Sequence, residues 1–99
     1  MGKAFTQLTA VGDSSGYDVS NNIYHTMAYT VASINTSVDV DVDGSLDGSN
    51  WFEIDSTQRT ANGTYYVTFT GKLAQIRIGI SAEAGGTAVT VDGLYEGGN

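Results

Sequence analysis

Cysteine is absent from the 99 residues, and this absence excludes two kinds of stabilising link. Without thiols the chain can form neither a disulfide bond nor a thiolate metal site, and it fits a protein kept in a reducing cytosol. A domain of this size buries only about two-thirds of the surface that its unfolded chain exposes. Its stability therefore depends on one hydrophobic core, together with whatever subunits it binds.

Basic residues are scarce, with four Lys and Arg against eleven Asp and Glu and a formal net charge of −7. Such a chain is repelled by phosphate backbones and anionic membrane surfaces, so neither nucleic acid nor membrane is expected as a partner. Long apolar runs are also missing: nothing after Met1 has the pattern of a signal peptide, and no stretch approaches a membrane-spanning length. We expect one soluble domain over residues 1–99.

Groups that could carry catalysis or bind metal are few. His25 is the only histidine, and no residue near it stands at metal-ligand spacing, so we expect it at the surface or on an edge strand. Residues 39–44 begin like an EF-hand calcium loop, with a carboxylate at every second position before a glycine. However, Asn50 occupies the twelfth position, where a bidentate carboxylate is needed, and strict Val/Asp alternation is typical of an amphipathic strand. We expect no catalytic residue, no metal and no cofactor.

What the chain does have is apolar residues that alternate with polar ones at a period of two, which is the pattern of a half-buried strand. The clearest case is residues 37–43, where three valines face one side and the aspartates face the other. Residues 64–70 and 73–80 show similar alternation. With the turn at 71–72 between them, they predict two consecutive antiparallel strands.

Turn signals divide the rest of the chain into short segments. Gly85 and Gly86 predict a tight hairpin turn before a last strand at 87–92. Further strands are expected at 5–11, at 27–32 and within the polar loop of 12–22. About seven or eight short strands at this spacing predict an all-β, antiparallel β-sandwich, either jelly-roll or immunoglobulin-like.

Adjacent aromatic residues indicate where partners could bind. The pairs at 51–52 and 65–66 must each place one ring on either face of a strand. An outward ring can anchor a protein interface or stack on a sugar, unless a second layer covers it. Free strand edges offer a further route to partners. Residues 93–99 have the composition of a flexible end, which we expect to reach a neighbouring subunit. The predicted interface residues are Trp51, Tyr65, Tyr66, Leu94 and Tyr95.

The string SLDGSNW at 45–51, followed by GTYY at 63–66 and RI at 77–78, resembles small β-sandwich structural proteins of tailed bacteriophages. The likeness includes GGT at 85–87 and covers roughly 37–91. It implies a virion component assembled in the host cytoplasm: a capsid decoration (cement) protein, a head fibre or a tail accessory protein. It also implies a homotrimer that binds the major capsid protein or other virion subunits. The motif carries no catalytic residue.

Similar strings occur in discoidin-like and other carbohydrate-binding sandwiches. A carbohydrate-binding or adhesion module is therefore the alternative, and an enzyme is the most distant hypothesis. The position of the outward aromatic rings separates the first two. Rings in a concave groove favour sugar binding, whereas rings at a flat seam favour assembly with other subunits.

Overall fold

The computed structural model describes residues 2–85 and 89–99. These residues form nine strands and no helix, so they contain no helix that could cross a membrane. The strands are β1 (Lys3–Ala4), β2 (Gly12–Asp13), β3 (Tyr17–Asp18), β4 (Tyr24–Ala32), β5 (Ser37–Ser45), β6 (Trp51–Arg59), β7 (Gly63–Thr70), β8 (Gln75–Ala84) and β9 (Thr90–Gly98).

The strands form two antiparallel sheets that pack face to face as a β-sandwich, which confirms the predicted fold class. One sheet has the order β1-β9-β4-β7. The other has the order β2-β8-β5-β6, and β3 pairs with β8 beside β2. The strand count exceeds the prediction because β1 and β2 have two residues each, too few to show a period of two. β3 also has two residues, and it lies in the polar loop where a short strand is expected.

The core lies between the sheets and follows the alternation of the long strands. The valines of residues 37–43 are fully buried, as predicted, while the aspartates between them lie on the outer face. Each such valine contributes about 1.5–3 kcal/mol by burial. The buried apolar residues are Val19, Met27, Tyr29, Val31, Val38, Val40, Val42, Ile76, Ile78, Ile80, Val89, Val91 and Tyr95.

Two predicted strand pairings are corrected by the structure. Residues 64–70 and 73–80 do contain strands, but β7 pairs with β4 while β8 pairs with β5, so the two lie in different sheets. β8 and β9 likewise lie in different sheets, so their connection is not a tight hairpin. Gly85 does adopt a positive φ of 92°, whereas Gly86 and residues 87–88 lie outside the described residues. Alternation identifies which face of a strand is buried, not which strand lies beside it.

The two ends of the chain also differ from expectation. Most of residues 93–99 belong to β9, which lies between β1 and β4, so this segment is an interior strand rather than a flexible end. The N-terminal segment was expected to be a strand over 5–11. It pairs as β1 at Lys3–Ala4, and beyond β1 it stays beside β9 through the hydrogen bond from the Phe5 N–H to the Gly93 carbonyl and the bridge between Leu8 and Val91. Both segments therefore pack within this molecule.

The turn between β5 and β6 is organised by Asp47. Its Oδ1 accepts hydrogen bonds from the backbone N–H groups of Ser49 and Asn50, each at 2.8 Å, and from the Ser45 hydroxyl at 3.2 Å. Its Oδ2 accepts from Nδ2 of Asn50 at 2.7 Å. These bonds, led by the one from the Asn50 backbone, hold the pKa of Asp47 well below its ordinary value of 3.8.

Replacing Asp47 is expected to change how stability depends on pH. A carboxyl whose pKa is lower in the folded state stabilises the fold above about pH 4, and that contribution is lost as the pH falls further. Asp47→Asn should therefore be less stable than the wild type at pH 7, with a smaller decline between about pH 4 and pH 2. Urea unfolding across this range measures both effects. Parallel profiles for the two proteins would contradict this role of Asp47.

Candidate interaction surface

Two of the predicted interface residues, Tyr66 and Leu94, lie on the outer face of the four-stranded sheet. The strand register places Ala4 opposite Leu94, Leu94 opposite Ala28, and Ala28 opposite Tyr66. We call these four residues the apolar row. Directly opposed side chains lie within contact distance, so the row crosses all four strands. Tyr66 is 72% exposed and Leu94 48% exposed. Both side chains are therefore available to pack against a partner.

The polar residues beside the apolar row are uncharged near β7. Thr26 and Thr68 pair on one side of the row, and Thr30 and Thr64 pair on the other. The hydroxyls of Thr30 and Thr64 lie 3.0 Å apart and share a hydrogen bond. This half of the face can therefore approach another surface without bringing charged groups out of water.

Trp51 lies on the outer face of the other sheet. The guanidinium of Arg77 stacks on its ring at 4.3 Å from the centroid. Arg77 also donates from Nε to Asp43 at 3.1 Å and lies 3.4 Å from a carboxylate oxygen of Asp13. Burial raises the pKa of Asp43, and Arg77 opposes that rise. Trp51 is thus packed within an ionic cluster on the side of the molecule opposite the apolar row.

Tyr65 lies on the inner face of β7 and helps to close the side of the sandwich formed by β6 and β7. The Arg59 guanidinium of β6 stacks on the Tyr65 ring at 3.8 Å, and Arg59 Nε donates to the Tyr29 hydroxyl at 3.0 Å. The Tyr65 hydroxyl donates to the carbonyl of Ala61. Burial raises the pKa of Tyr29, and the bond from Arg59 opposes that rise. Tyr65 thus contributes mainly to the join between the two sheets.

Tyr95 and His25 are buried together, and both are 2% exposed. This corrects the prediction of Tyr95 as an interface residue. It also corrects the expectation that His25 lies at the surface or on an edge strand, because β4 lies between β9 and β7. Nε2 of His25 lies 2.8 Å from the carbonyl oxygen of Gly71 and must donate its proton there. Nδ1 then accepts from the Tyr95 hydroxyl at 2.6 Å, and that hydroxyl accepts from Nδ2 of Asn22 at 3.3 Å. Burial raises the pKa of Tyr95. The tyrosine offers no side-chain surface to a partner.

The two long edge strands, β6 and β7, lie on the same side of the sandwich. In the described part of the chain, β6 pairs with β5 alone and β7 with β4 alone, so each has one edge of unpaired backbone groups. Natural edge strands are usually protected by charges, prolines or bulges. β7 has eight residues, GTYYVTFT, without a charge, a proline or a break in register. Its free edge can accept another strand.

One feature of the sequence other than alternation indicates that the segment of β7 is a contact region. Residues 60–71 carry no charged side chain in a protein with 15% charged residues. Alternation predicts strand β7 but cannot say whether it is central or at an edge. Combined with the outward Tyr66, the absence of charge could have identified this segment as a contact region.

The described residues give little support to a metal site or to a binding pocket lined by the predicted interface residues. Within 2–85 and 89–99, no three His, Asp or Glu residues are grouped so that they could hold a metal ion. Asp39, Asp41 and Asp43 lie along the extended strand β5 instead of curling into a loop. A pocket of about 370 Å³ has Phe5 and Tyr17 as its aromatic lining, and none of the five predicted interface residues lines it.

No family model matches the chain, and no curated protein matches it. Among solved structures, the protein is similar to a chain described as "Bacillus endospore appendages form a novel family of disulfide-linked pili". The two chains are 10% identical and superpose with a TM-score of 0.50, over 100% of this chain and 88% of the other. At this level of identity, the likeness concerns the fold alone.

Proposed function

We propose that this protein is a non-enzymatic structural subunit that works by binding other subunits in a larger assembly. The observation that carries the proposal is the free edge of β7, which is uncharged and continuous over eight residues. The apolar row ends on the same strand, at Tyr66. An open edge supplies backbone hydrogen bonds and the outward ring supplies apolar area, so one region offers both components of a protein interface.

The structural similarity to the pilus chain supports an assembly role in a general way, because that protein is described as forming pili. The disulfide links in its description require cysteine, which these 99 residues lack. These residues would therefore assemble without disulfide links. A small domain gains stability from each such contact, because a partner that binds only the folded state shifts the folding equilibrium.

The more specific proposal is a capsid decoration protein of a tailed bacteriophage, located on the outside of the virion. Its support is the sequence resemblance together with the charge distribution. The apolar row would contact the major capsid protein or another virion subunit. The outer face of the opposite sheet carries Asp39, Asp41 and Asp43 and would point to solvent. The homotrimer implied by the resemblance is one of the assembly sizes that the proposal allows.

The proposal is tested by the molar mass in solution, measured by light scattering over a range of protein concentrations, with calcium and with a chelator. We expect a closed oligomer at a whole multiple of 10.4 kDa that does not respond to either addition. Tyr66→Lys should weaken association at least tenfold, since it places a charge in a contact region. Leu46→Lys is the matched control, because Leu46 is 70% exposed in the turn between β5 and β6. A protein that stays monomeric and binds glycans instead would support the carbohydrate-binding hypothesis and contradict this one.

A further inference from the structure

Strand β6 carries an arrangement of charges that suits pairing with its own copy. Asp55, Thr57 and Arg59 lie opposite buried valines of β5, so all three share the inward face of the edge strand. Thr57 is midway between a carboxylate and a guanidinium. The described residues form no ion pair at Asp55, whose Oδ2 accepts a hydrogen bond from the Thr57 hydroxyl at 3.0 Å.

An antiparallel strand pair has local two-fold symmetry, and here that symmetry would match opposite charges. When Thr57 lies on the axis, Asp55 of one copy lies opposite Arg59 of the other, and the reverse pair forms as well. A guanidinium has five N–H groups, and the Nε–H of Arg59 is bonded to Tyr29. The terminal nitrogens of Arg59 can therefore donate hydrogen bonds to a carboxylate of the second copy without breaking the bond to Tyr29.

The free edge of β7 lies where the same two-fold axis could pair it with β7 of the second copy. Arg59 on β6 stacks across the sandwich on Tyr65 of β7. The two strands run in opposite directions on either side of the turn that joins them. Two residues further along each strand from this contact, we therefore expect Thr57 of β6 to face Val67 of β7. A two-fold axis near both residues would place Tyr65 opposite Phe69 of the second copy. That contact would join aromatic rings and leave no charge unpaired.

The net charge of the chain favours self-association through the side formed by β6 and β7. A protein with a net charge of −7 repels its own copies over most of its surface. β7 carries no charged residue, and β6 carries Arg59, one of only four basic residues, against Glu53 and Asp55. The side formed by β6 and β7 is therefore nearly neutral. The charges of β6 are complementary to those of β6 from a second copy that lies beside it in the opposite direction.

We propose that two copies of this chain join edge to edge, β6 to β6 and β7 to β7, around a two-fold axis that passes close to Thr57 and Val67. Each sheet then continues from one copy into the other, and the unpaired edges on this side are satisfied. The inference rests on the proposed assembly function and makes it specific, because it names the partner, the register and the symmetry. An isologous contact of this kind closes at two copies.

Cross-linking tests the register directly, since the chain has no other thiol. Thr57→Cys places two thiols next to each other across the axis, and a short thiol-reactive cross-linker should convert most of the protein to covalent dimer. Thr6→Cys, on the exposed N-terminal segment, is the matched control and should cross-link at least tenfold less. Equal cross-linking at the two positions would reflect random collision and would overturn the proposal.

Charge exchange provides the second test. Asp55→Arg keeps the contact between Arg59 and Tyr65 but places like charges opposite each other, so the molar mass should fall from twice 10.4 kDa to 10.4 kDa. The double variant Asp55→Arg/Arg59→Asp restores opposite charges in the same register and should recover the dimer. Circular dichroism confirms that each variant is folded, and the Thr57→Cys result stands by itself should the double variant not fold.

The outcomes separate this inference from the broader proposal. A trimer or larger oligomer, with no selective cross-linking at Thr57→Cys, would overturn the two-fold seam and leave the assembly function standing. A folded protein that is monomeric at every concentration, with no cross-linking, would overturn the seam and count against the assembly function too. A dimer that persists in Asp55→Arg would overturn the proposed register.

Discussion

Truncation of the chain after Asp92 is expected to leave no folded protein. The deletion removes most of β9, which lies between β1 and β4 in the four-stranded sheet. β1 would lose its pairing strand, and the core would lose Tyr95. Loss of a buried aromatic side chain alone costs about 3–5 kcal/mol, and a domain of this kind has only about 5–15 kcal/mol in total. Far-UV circular dichroism and a thermal melt should show an unfolded or aggregated chain.

Deletion of Asn99 alone is the matched control, because this residue follows the end of β9. The shortened protein should melt within a few degrees of the wild type. If the chain truncated after Asp92 were to melt at the same temperature as the wild type, residues 93–99 would have to be the flexible end that their composition suggests. That result would contradict the placement of β9 within the sheet.

The composition of this segment misleads because its glycines have a packing role. A Cβ on Gly93 would lie 3.2 Å from side-chain carbons of Ile78 in the facing sheet. A Cβ on Gly97 would meet the Tyr95 hydroxyl and the Asn22 side chain. Glycine at these positions provides space for neighbours from elsewhere in the chain. A sequence rule based on flexibility cannot distinguish that use from a disordered tail.

What the sequence does predict is the local pattern of each long strand. The valines at 37–43 and the isoleucines at 76–80 are buried as their alternation indicates, because period two is a property of the strand itself. Pairing is decided by contacts between distant segments, so the partners of β7 and β8 could not be derived from the turn at 71–72. For the same reason, the sequence alone could not identify which strands lie at the edges.

The candidate surface was predictable in part. Adjacent tyrosines at 65 and 66 required one outward ring, and the structure shows that it is Tyr66. The burial of His25 was missed although its position is in phase with Met27, Tyr29 and Val31, which are core residues of the same strand. A polar residue in an apolar phase is an indication of a buried hydrogen-bonded group.

Tyr95→Phe is expected to lower the free energy of unfolding by about 1–3 kcal/mol, which is the usual cost of leaving a buried polar group without its partner. The change removes the hydroxyl that donates to Nδ1 of His25 and accepts from Asn22, while the ring keeps its place in the core. Urea unfolding of the variant and the wild type measures the difference. The loss should appear as a lower midpoint with an unchanged slope.

Tyr17→Phe is the matched control for this prediction. The Tyr17 ring packs edge-on against Tyr95 at 5.8 Å between centroids, and its hydroxyl makes no hydrogen bond with the described residues. Its loss should change stability by less than about 0.5 kcal/mol. The double variant His25→Leu/Tyr95→Phe should lose less stability than the sum of the losses of the two single variants, because the two groups share one hydrogen bond. Additive costs, or equal losses at Tyr17 and Tyr95, would mean that this buried bond does not stabilise the join between β4 and β9.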